Sequence, residues 1–246
     1  MLNHLTGKSP AHLKYILNNP QPATPAMALG SAIHMSVLEP EKFNDNYVVS
    51  PKFDRRTKQG KEDYKEFINN NLLKTTISET DFEIIEQITL KLMRDDLIKG
   101  LLQNGESEKI IAWNNPDYDI KCKGMLDYYR KNDGIIIDLK TTHDSSTRSF
   151  INSILKFKYH KQAAFYRDAV GADEFYIIAV EKSPPYSFNI FQISDGLLNE
   201  GRSLYNKDLE IYKYCLDNDY WPEYGYDFYN KDSERKIEII DANIIK

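Results

Sequence analysis

Two aspartates and a lysine carry the most chemical information in this chain. Asp127 closes the stretch Gly124-Met125-Leu126-Asp127, and Asp138 follows the apolar run Ile135-Ile136-Ile137 and precedes Leu139-Lys140. Each aspartate stands at the end of a predicted β-strand, and pairing of the two strands as a hairpin brings both carboxylates to one edge of the sheet. Side chains alternate along a strand, so Asp138 and Lys140 share one face while Leu139 turns into the core. Two carboxylates packed together repel each other, and a hard divalent cation is their natural partner. Magnesium or manganese held this way acidifies bound water and neutralises charge building on a phosphate, with the ammonium facing the attacking water. The pattern fits metal-assisted hydrolysis. The competing reading is a strand-end salt bridge, and D-x-K alone does not decide between them.

Other residues extend the constellation. Glu108, in Gly105-Glu106-Ser107-Glu108, stands at the start of the first predicted strand. Glu106 competes with it, because one residue of slippage exchanges faces. Gln162 and Tyr166 are four residues apart and share a helix face. His34 sits one turn after Gly30. A helical histidine, or a Gln/Tyr pair, is equally at home in ordinary packing.

The elements that must position these groups are legible in outline. Short helical segments are predicted from Ser9 to about Asn18 and from Pro25 to about Glu39, with Pro40 stopping the second. Ala26, Ala28, Gly30, Ser31 and Ala32 let another backbone approach that helix. Residues 51–61 read as a basic loop before a helix over 62–70, and Thr80 with Glu83 suggests a capping box for a helix reaching about Leu102. After Gly105 the period changes to that of strands, at 109–113, 118–129 and 134–140. Helices follow at about 147–155 and 159–170, then strands at 174–181 and 186–193, then one closing helix over 194–219. The order predicts an α/β (mixed α+β) fold: a central mixed sheet flanked by helices, behind a helical N-terminal region. A single domain over 1–246 is expected, with a helical N-terminal region over residues 1–104, a sheet core over 105–193 and a C-terminal helix and tail over 194–246.

Composition narrows the function classes. The 246 residues are 41% hydrophobic and 28% charged, as in a globular chain rather than a disordered or collagenous one. No apolar run approaches the length of a membrane span, and the first residues lack a signal-peptide core, so a cytoplasmic protein without membrane contact is expected. Two cysteines, Cys122 and Cys215, cannot build a four-thiolate metal site. Any metal is therefore held mainly by oxygen and imidazole. The net charge of −5 hides a gradient: residues 121–167 contain ten Lys/Arg against four Asp, a local +6, whereas 195–246 carry −5. A basic middle permits a positive groove on an acidic protein, although a solvated lysine surface has the same composition.

Taken in order, these pieces resemble the PD-(D/E)xK nuclease superfamily, in its phage and prophage RecE-type (exonuclease VIII) branch related to lambda exonuclease. The matching segments are Ser9-Pro10-Ala11-His12, Leu29-Gly30-Ser31-Ala32-Ile33-His34 with Leu38-Glu39-Pro40, Asp54 to Lys61, Glu108, Gly124-x-Leu126-Asp127, Asp138-x-Lys140-Thr141-Thr142, and Gln162-Ala163-Ala164-Phe165-Tyr166. They span roughly two-thirds of the chain.

The resemblance implies a restriction-endonuclease-like core and a Mg2+-dependent exodeoxyribonuclease, with Mn2+ able to substitute. It makes Asp127, Asp138, the Leu139 carbonyl, His34 and Glu108 metal ligands. Lys140 orients or deprotonates the water and stabilises the developing charge, while Gln162 and Tyr166 hold the network and the scissile strand. Arg55, Arg56, Thr57, Lys58, Lys61, Thr141 and Lys161 are the implied DNA contacts, and His4, Lys8, Ser9 and His12 are candidates for end recognition. The implied substrate is linear double-stranded DNA cut 5′→3′ to leave a 3′ overhang. A single-strand annealing protein of RecT or beta type, a ring-shaped homo-oligomer (trimer or tetramer) and a phage or prophage gene in a bacterial host complete the expectation. Asp127 follows Leu126 where the motif's name has proline, and the second acid is Asp138 rather than Glu. An endonuclease or repair nuclease of the same superfamily is the nearest alternative, and a catalytically inactive DNA-binding or assembly module the other.

Overall fold

A computed structural model describes residues 5, 7–20, 22 and 24–237. His4 lies outside the described residues, as does the tail from 238 to 246. The N-terminal region holds helices α1 (Pro10–Asn18), α2 (Pro25–Leu38) and α3 (Pro40–Asn46), strand β1 (Tyr47–Ser50), helix α4 (Lys58–Asn70), strand β2 (Thr75–Ser78), and helices α5 (Glu79–Arg94) and α6 (Asp96–Leu101). A meander of β3 (Glu106–Asn115), β4 (Ile120–Arg130) and β5 (Ile135–Thr142) follows. Helices α7 (Thr147–Phe157) and α8 (Tyr159–Val170) cross to β6 (Glu174–Glu181), and β7 (Phe188–Gln192) and α9 (Asp195–Asn218) complete the order.

The five strands form one mixed sheet in the order β3-β4-β5-β6-β7, antiparallel except for the parallel β5–β6 pair. This is the predicted helix-flanked mixed sheet. The parallel pair needs a crossover, and α7–α8 supplies it. Alternation along the strands builds a core on each face. Ile136, Phe175, Ile177 and Ala179 pack towards Phe150, Ile154 and Ala163 of α7–α8 and Leu209 of α9. Ile137, Leu139, Ile178 and Val180 pack towards Ala32, Ile33 and Val37 of α2 and Ile85, Ile88 and Leu92 of α5.

Several boundaries differ from the sequence reading, each for a local reason. Pro40 does not merely stop α2. Glu39 breaks the helix, and Pro40 is the first residue of α3, a position where its missing N–H costs nothing. The basic segment is half loop and half helix. The Thr57 hydroxyl accepts the Gly60 N–H at 3.0 Å, so α4 begins at Lys58. The cap of α5 is Ser78 rather than Thr80, with its hydroxyl accepting the Asp81 N–H at 3.0 Å and donating to the Asp81 carboxylate at 2.8 Å. That helix ends at Arg94, where Asp95 caps α6. The parallel β1–β2 pair has no signature in the sequence, since four residues per strand are too few to show a period.

The aromatic residues near the C-terminus fasten α1 to the body. Lys14 of α1 pairs with Asp219 at 3.0 Å and lies over the Trp221 ring, which in turn meets Tyr212 of α9 edge-on. The Ala11 N–H donates to the Pro222 carbonyl, and His12 meets Tyr224.

Candidate active site

The site forms where three strands stop behaving as a regular sheet. The β4–β5 ladder pairs Arg130 with Ile135, Tyr129 with Ile136 and Tyr128 with Ile137, and ends there. The next position in that register places Asp127 beside Asp138. On the other side, β3–β4 pairs Ser107 with Tyr128 and Lys109 with Leu126, but the intervening Glu108 and Asp127 do not pair. Glu108, Asp127 and Asp138 thus form a row across β3, β4 and β5.

Glu108 has a φ of +48°, a left-handed conformation that costs energy for any residue with a side chain. The alternation of faces reverses at this row. Tyr128 belongs to the α2-side core, and the Ser107 hydroxyl donates to the Leu38 carbonyl of α2. Yet Leu126 and Ile111, which ordinary alternation would place on that same side, pack in the α8-side core. The strands open at the three carboxylates, and backbone strain is stored there.

Side chains fill the opening. The Leu139 N–H donates to Asp127 Oδ2 at 2.8 Å. In extended backbone the carbonyl leaves on the same side as the N–H, so the Leu139 carbonyl is directed at the gap as well. His34 Nδ1 lies 3.5 Å from Asp127 Oδ2. Ligand atoms of His34, Glu108 and Asp127 all fall within 4.8 Å of one another. Burial, and then the charge of Asp127, raises the Glu108 carboxyl above its ordinary range.

Asp138 stands outside that close trio. It is 2% exposed, its Oδ1 accepts from Gln162 Nε2 at 3.1 Å, and its Oδ2 lies 2.6 Å from the Lys140 ammonium. Oδ2 has no aligned hydrogen-bond donor. Burial lifts Asp138 to about 6, with Asp127 adding and Lys140 opposing. For Lys140, burial acts to lower the pKa, but the Asp138 and Asp127 carboxylates overcome it and the ammonium is held protonated well above its ordinary range.

Tyr159 is a site residue that the sequence did not reveal. The Lys140 ammonium sits 5.2 Å from the centre of its ring. No motif marks it, because an aromatic at a helix start looks like packing.

Helix α8 presents Gln162 and Tyr166 to the site. The Tyr166 ring lies against Gly124, where a Cβ would come 2.6 Å from a ring carbon, so only glycine leaves room. A backbone hydrogen bond from Met125 reaches the Tyr166 hydroxyl, and burial raises that group's pKa. Thr141 lies on the α2 side of β5, its hydroxyl 3.7 Å from where a Cβ on Gly30 would stand. That is ordinary contact, so Gly30 is not sterically required by Thr141.

The basic residues part company with the site. Arg55 covers the Tyr64 ring and Arg56 is bidentate to Asp54 at 2.8 and 3.0 Å. Thr57 is a helix cap and Lys58 faces Glu62. These exposed side chains, with Lys61, make no contact to the carboxylate network. Lys161 corrects the expectation outright. It is 2% exposed and its ammonium lies 2.5 Å from Asp208, so it joins α8 to α9 rather than meeting a phosphate. Ser9, the residue before α1, and His12 in its first turn bond each other at 2.7 Å.

The donor set fits a hard divalent ion. Two carboxylates and an imidazole lie within mutual reach, a third carboxylate, Asp138, is buried at the next register position, and burial together with the charge of Asp127 disfavours the charge on Glu108. The mixed sheet flanked by helices, opening around two aspartates and a lysine, is of the PDDEXK-like class of α/β domain. The chain belongs to the family of PDDEXK-like domains of unknown function DUF3799, whose model matches residues 3–229.

Among solved structures, a protein of Eubacterium rectale provisionally described as an exonuclease aligns with a TM-score of 0.64. The alignment has 18% identity and covers 90% of this chain and 81% of that one. That likeness bears on the fold. A phage-related exonuclease of Haemophilus somnus 129PT aligns at a TM-score of 0.38 and 12% identity, over 77% of this chain and 95% of that one. Comparison with curated proteins finds no match. Among the described residues, no helix is long and apolar enough to cross a membrane.

Proposed function

We propose that this protein is a Mg2+-dependent exodeoxyribonuclease that hydrolyses linear double-stranded DNA from the 5′ end. The observation that carries the reading is the Glu108–Asp127–Asp138 row, set beside His34 and the Lys140 ammonium where the sheet opens. His34, Glu108, Asp127, Asp138 and the Leu139 carbonyl are the groups that would hold the ion, and Mn2+ has the same ligand preferences. When bound, such an ion supplies Lewis acidity and a water of lowered pKa.

The remaining work falls to the chain's own groups. Lys140, its ammonium held beside Asp138 at 2.6 Å, orients the attacking water and stabilises the charge that develops on the phosphate oxygens. Gln162 fixes the Asp138 carboxylate, and Tyr166 with Gly124 sets the distance of α8 from β4. The N–H of Leu139 holds Asp127 in place. Phosphodiester hydrolysis has a very large barrier, and positioned charge in a partly dry site is the largest contribution of this kind a protein can make.

The 3′ strand left behind would serve a single-strand annealing protein of RecT or beta type. A ring of three or four subunits in the cytoplasm of a bacterial host, encoded by a phage or prophage, belongs to the same reading. The test uses linear duplexes labelled at defined ends, with and without a 5′ phosphate, beside closed circular DNA. Loss of the 5′ label first, with circles intact, supports the reading. Nicked circles assign the protein to the endonucleases, and no digestion with Mg2+ removes the proposal.

A further inference from the structure

We infer that Tyr159 is a positioning residue, whose ring holds the Lys140 ammonium beside the carboxylates. The inference rests on the nuclease reading above and adds what keeps the lysine in place. A lysine carries its charge on a flexible four-carbon stem with three rotatable donors, so one ion pair does not immobilise it. Asp138 Oδ2 lies 2.6 Å from the Lys140 ammonium, yet that oxygen has no aligned donor. The ion pair therefore sets a distance and leaves the direction of the N–H groups open.

A second hold comes from the face of an aromatic ring. The ammonium sits 5.2 Å from the centre of the Tyr159 ring, inside the range of about 6 Å at which the ring quadrupole attracts a cation. Lys140 is largely buried, and this attraction is strongest where water is excluded. Carboxylate and ring together restrain the ammonium, which keeps its free donors for the water and the phosphate oxygens.

The ring itself is fixed from behind. Phe157 stacks on it with 5.6 Å between ring centres, and Phe150 packs at 6.1 Å. Phe150 is fully buried and stacks in turn on Phe191 of β7 at 4.8 Å. Tyr159 opens α8 directly after Lys158, which closes α7 with a φ of +59°. A left-handed lysine costs energy, and that strain is spent at the turn that delivers the ring to Lys140. The Lys158 carbonyl also accepts the Gln162 N–H at 3.2 Å, so the same residue sets the start of α8. Tyr159, Gln162 and Tyr166 then stand at i, i+3 and i+7, one helix stripe that meets Lys140, Asp138 and Gly124 in turn. Packing explains the Phe150 and Phe157 contacts, but it does not call for an ammonium at the ring face.

The test compares the full chain with Tyr159→Leu and Tyr159→Phe by two readouts. The first is the proton resonance of the Lys140 ε-methylene in the metal-free chain, assigned by its loss in Lys140→Ala. Ring current should shift it upfield in the wild type and in Tyr159→Phe, and Tyr159→Leu should return it to the ordinary lysine position. The second is Mg2+-dependent digestion of linear duplex DNA. Tyr159→Leu should lower kcat by about tenfold with KM unchanged, and Tyr159→Phe should recover most of that loss. An ordinary resonance in the wild type overturns the inference, and this alone decides the matter should Tyr159→Leu fail to fold. Unchanged kcat in Tyr159→Leu also overturns it, as does a raised KM at constant kcat, which would place the ring on DNA rather than on Lys140. Loss in Tyr159→Phe equal to that in Tyr159→Leu overturns it as well, by assigning the effect to the hydroxyl. Digestion without the shifted resonance removes the positioning role and leaves the nuclease, whereas a shifted resonance without digestion removes the nuclease and leaves the contact.

Discussion

Asp127 and Leu139 meet across the opening between β4 and β5, where an oxygen of the Asp127 carboxylate accepts the Leu139 backbone N–H at 2.8 Å. The bond replaces the ladder partner that Leu139 loses when the strands diverge, so the N–H stays satisfied at a buried residue. It also ties one aspartate to the residue following the other, and the distance between the two carboxylates is thereby set by main chain rather than by flexible side chains. The same bond lets a metal site and an open sheet coexist.

Gly124→Ala should distort the site from behind. The added methyl would come 2.6 Å from the Tyr166 ring, which must then move and carry the Gln162 face of α8 with it. We expect a loss of about 1–3 kcal/mol in urea denaturation, together with reduced Mg2+-dependent cleavage. Wild-type stability and activity in this variant would show that the Tyr166–Gly124 contact is not needed.

Lys161→Met should unfold the protein more readily while leaving DNA contacts alone. It removes the ammonium that pairs with the buried Asp208 carboxylate, at a cost of about 3–5 kcal/mol, and adding Asp208→Leu should recover much of that loss. The salt dependence of duplex binding should be unchanged in the double variant. A shallower salt slope would restore Lys161 to the phosphate-binding set.

Glu108→Gln should weaken Mn2+ binding by about 10–100-fold in calorimetric titration, because it removes one of three grouped donors. Unaltered affinity would place the ion away from the row.

Asp138 should contribute a loss of stability to the metal-free protein as pH rises from about 4 to about 6, seen as the difference between the wild-type chain and Asp138→Asn. Burial raises Asp138 from 3.8 to about 6, so the folded state favours the protonated carboxyl. The unfolded chain releases that proton at lower pH than the folded one does. This contribution is therefore fully present below 3.8, shrinks up to about 6 and is flat above. Thermal unfolding against pH should show the step, and Asp138→Asn should remove it. The same step in both proteins would assign it to another group.

Much of the site is legible in the sequence because strand period and residue type act locally. The apolar run before Asp138 fixes its strand, alternation puts Lys140 on the Asp138 face, and helical spacing puts Gln162 beside Tyr166. What stays hidden depends on contacts between distant segments. Nothing near Lys161 signals Asp208, 47 residues away, and a lysine in a basic stretch reads as surface. The choice between Glu106 and Glu108 turns on a left-handed φ, which no local rule assigns to a glutamate. Ser78 displaces Thr80 as the cap by two residues, and either hydroxyl residue suits a cap by type. The Tyr159 ring joins the site only because α7 and α8 meet at a left-handed Lys158.

The most direct test of the metal site is digestion of linear duplex DNA by the wild-type chain, Asp138→Asn and Lys140→Ala, each with Mg2+ and with a chelator. The wild-type chain should digest DNA only with Mg2+. Both variants should unfold cooperatively, as the wild type does, yet lose activity by about 10²-fold or more. Undiminished digestion by either variant, or digestion by the wild type in chelator, would contradict the account.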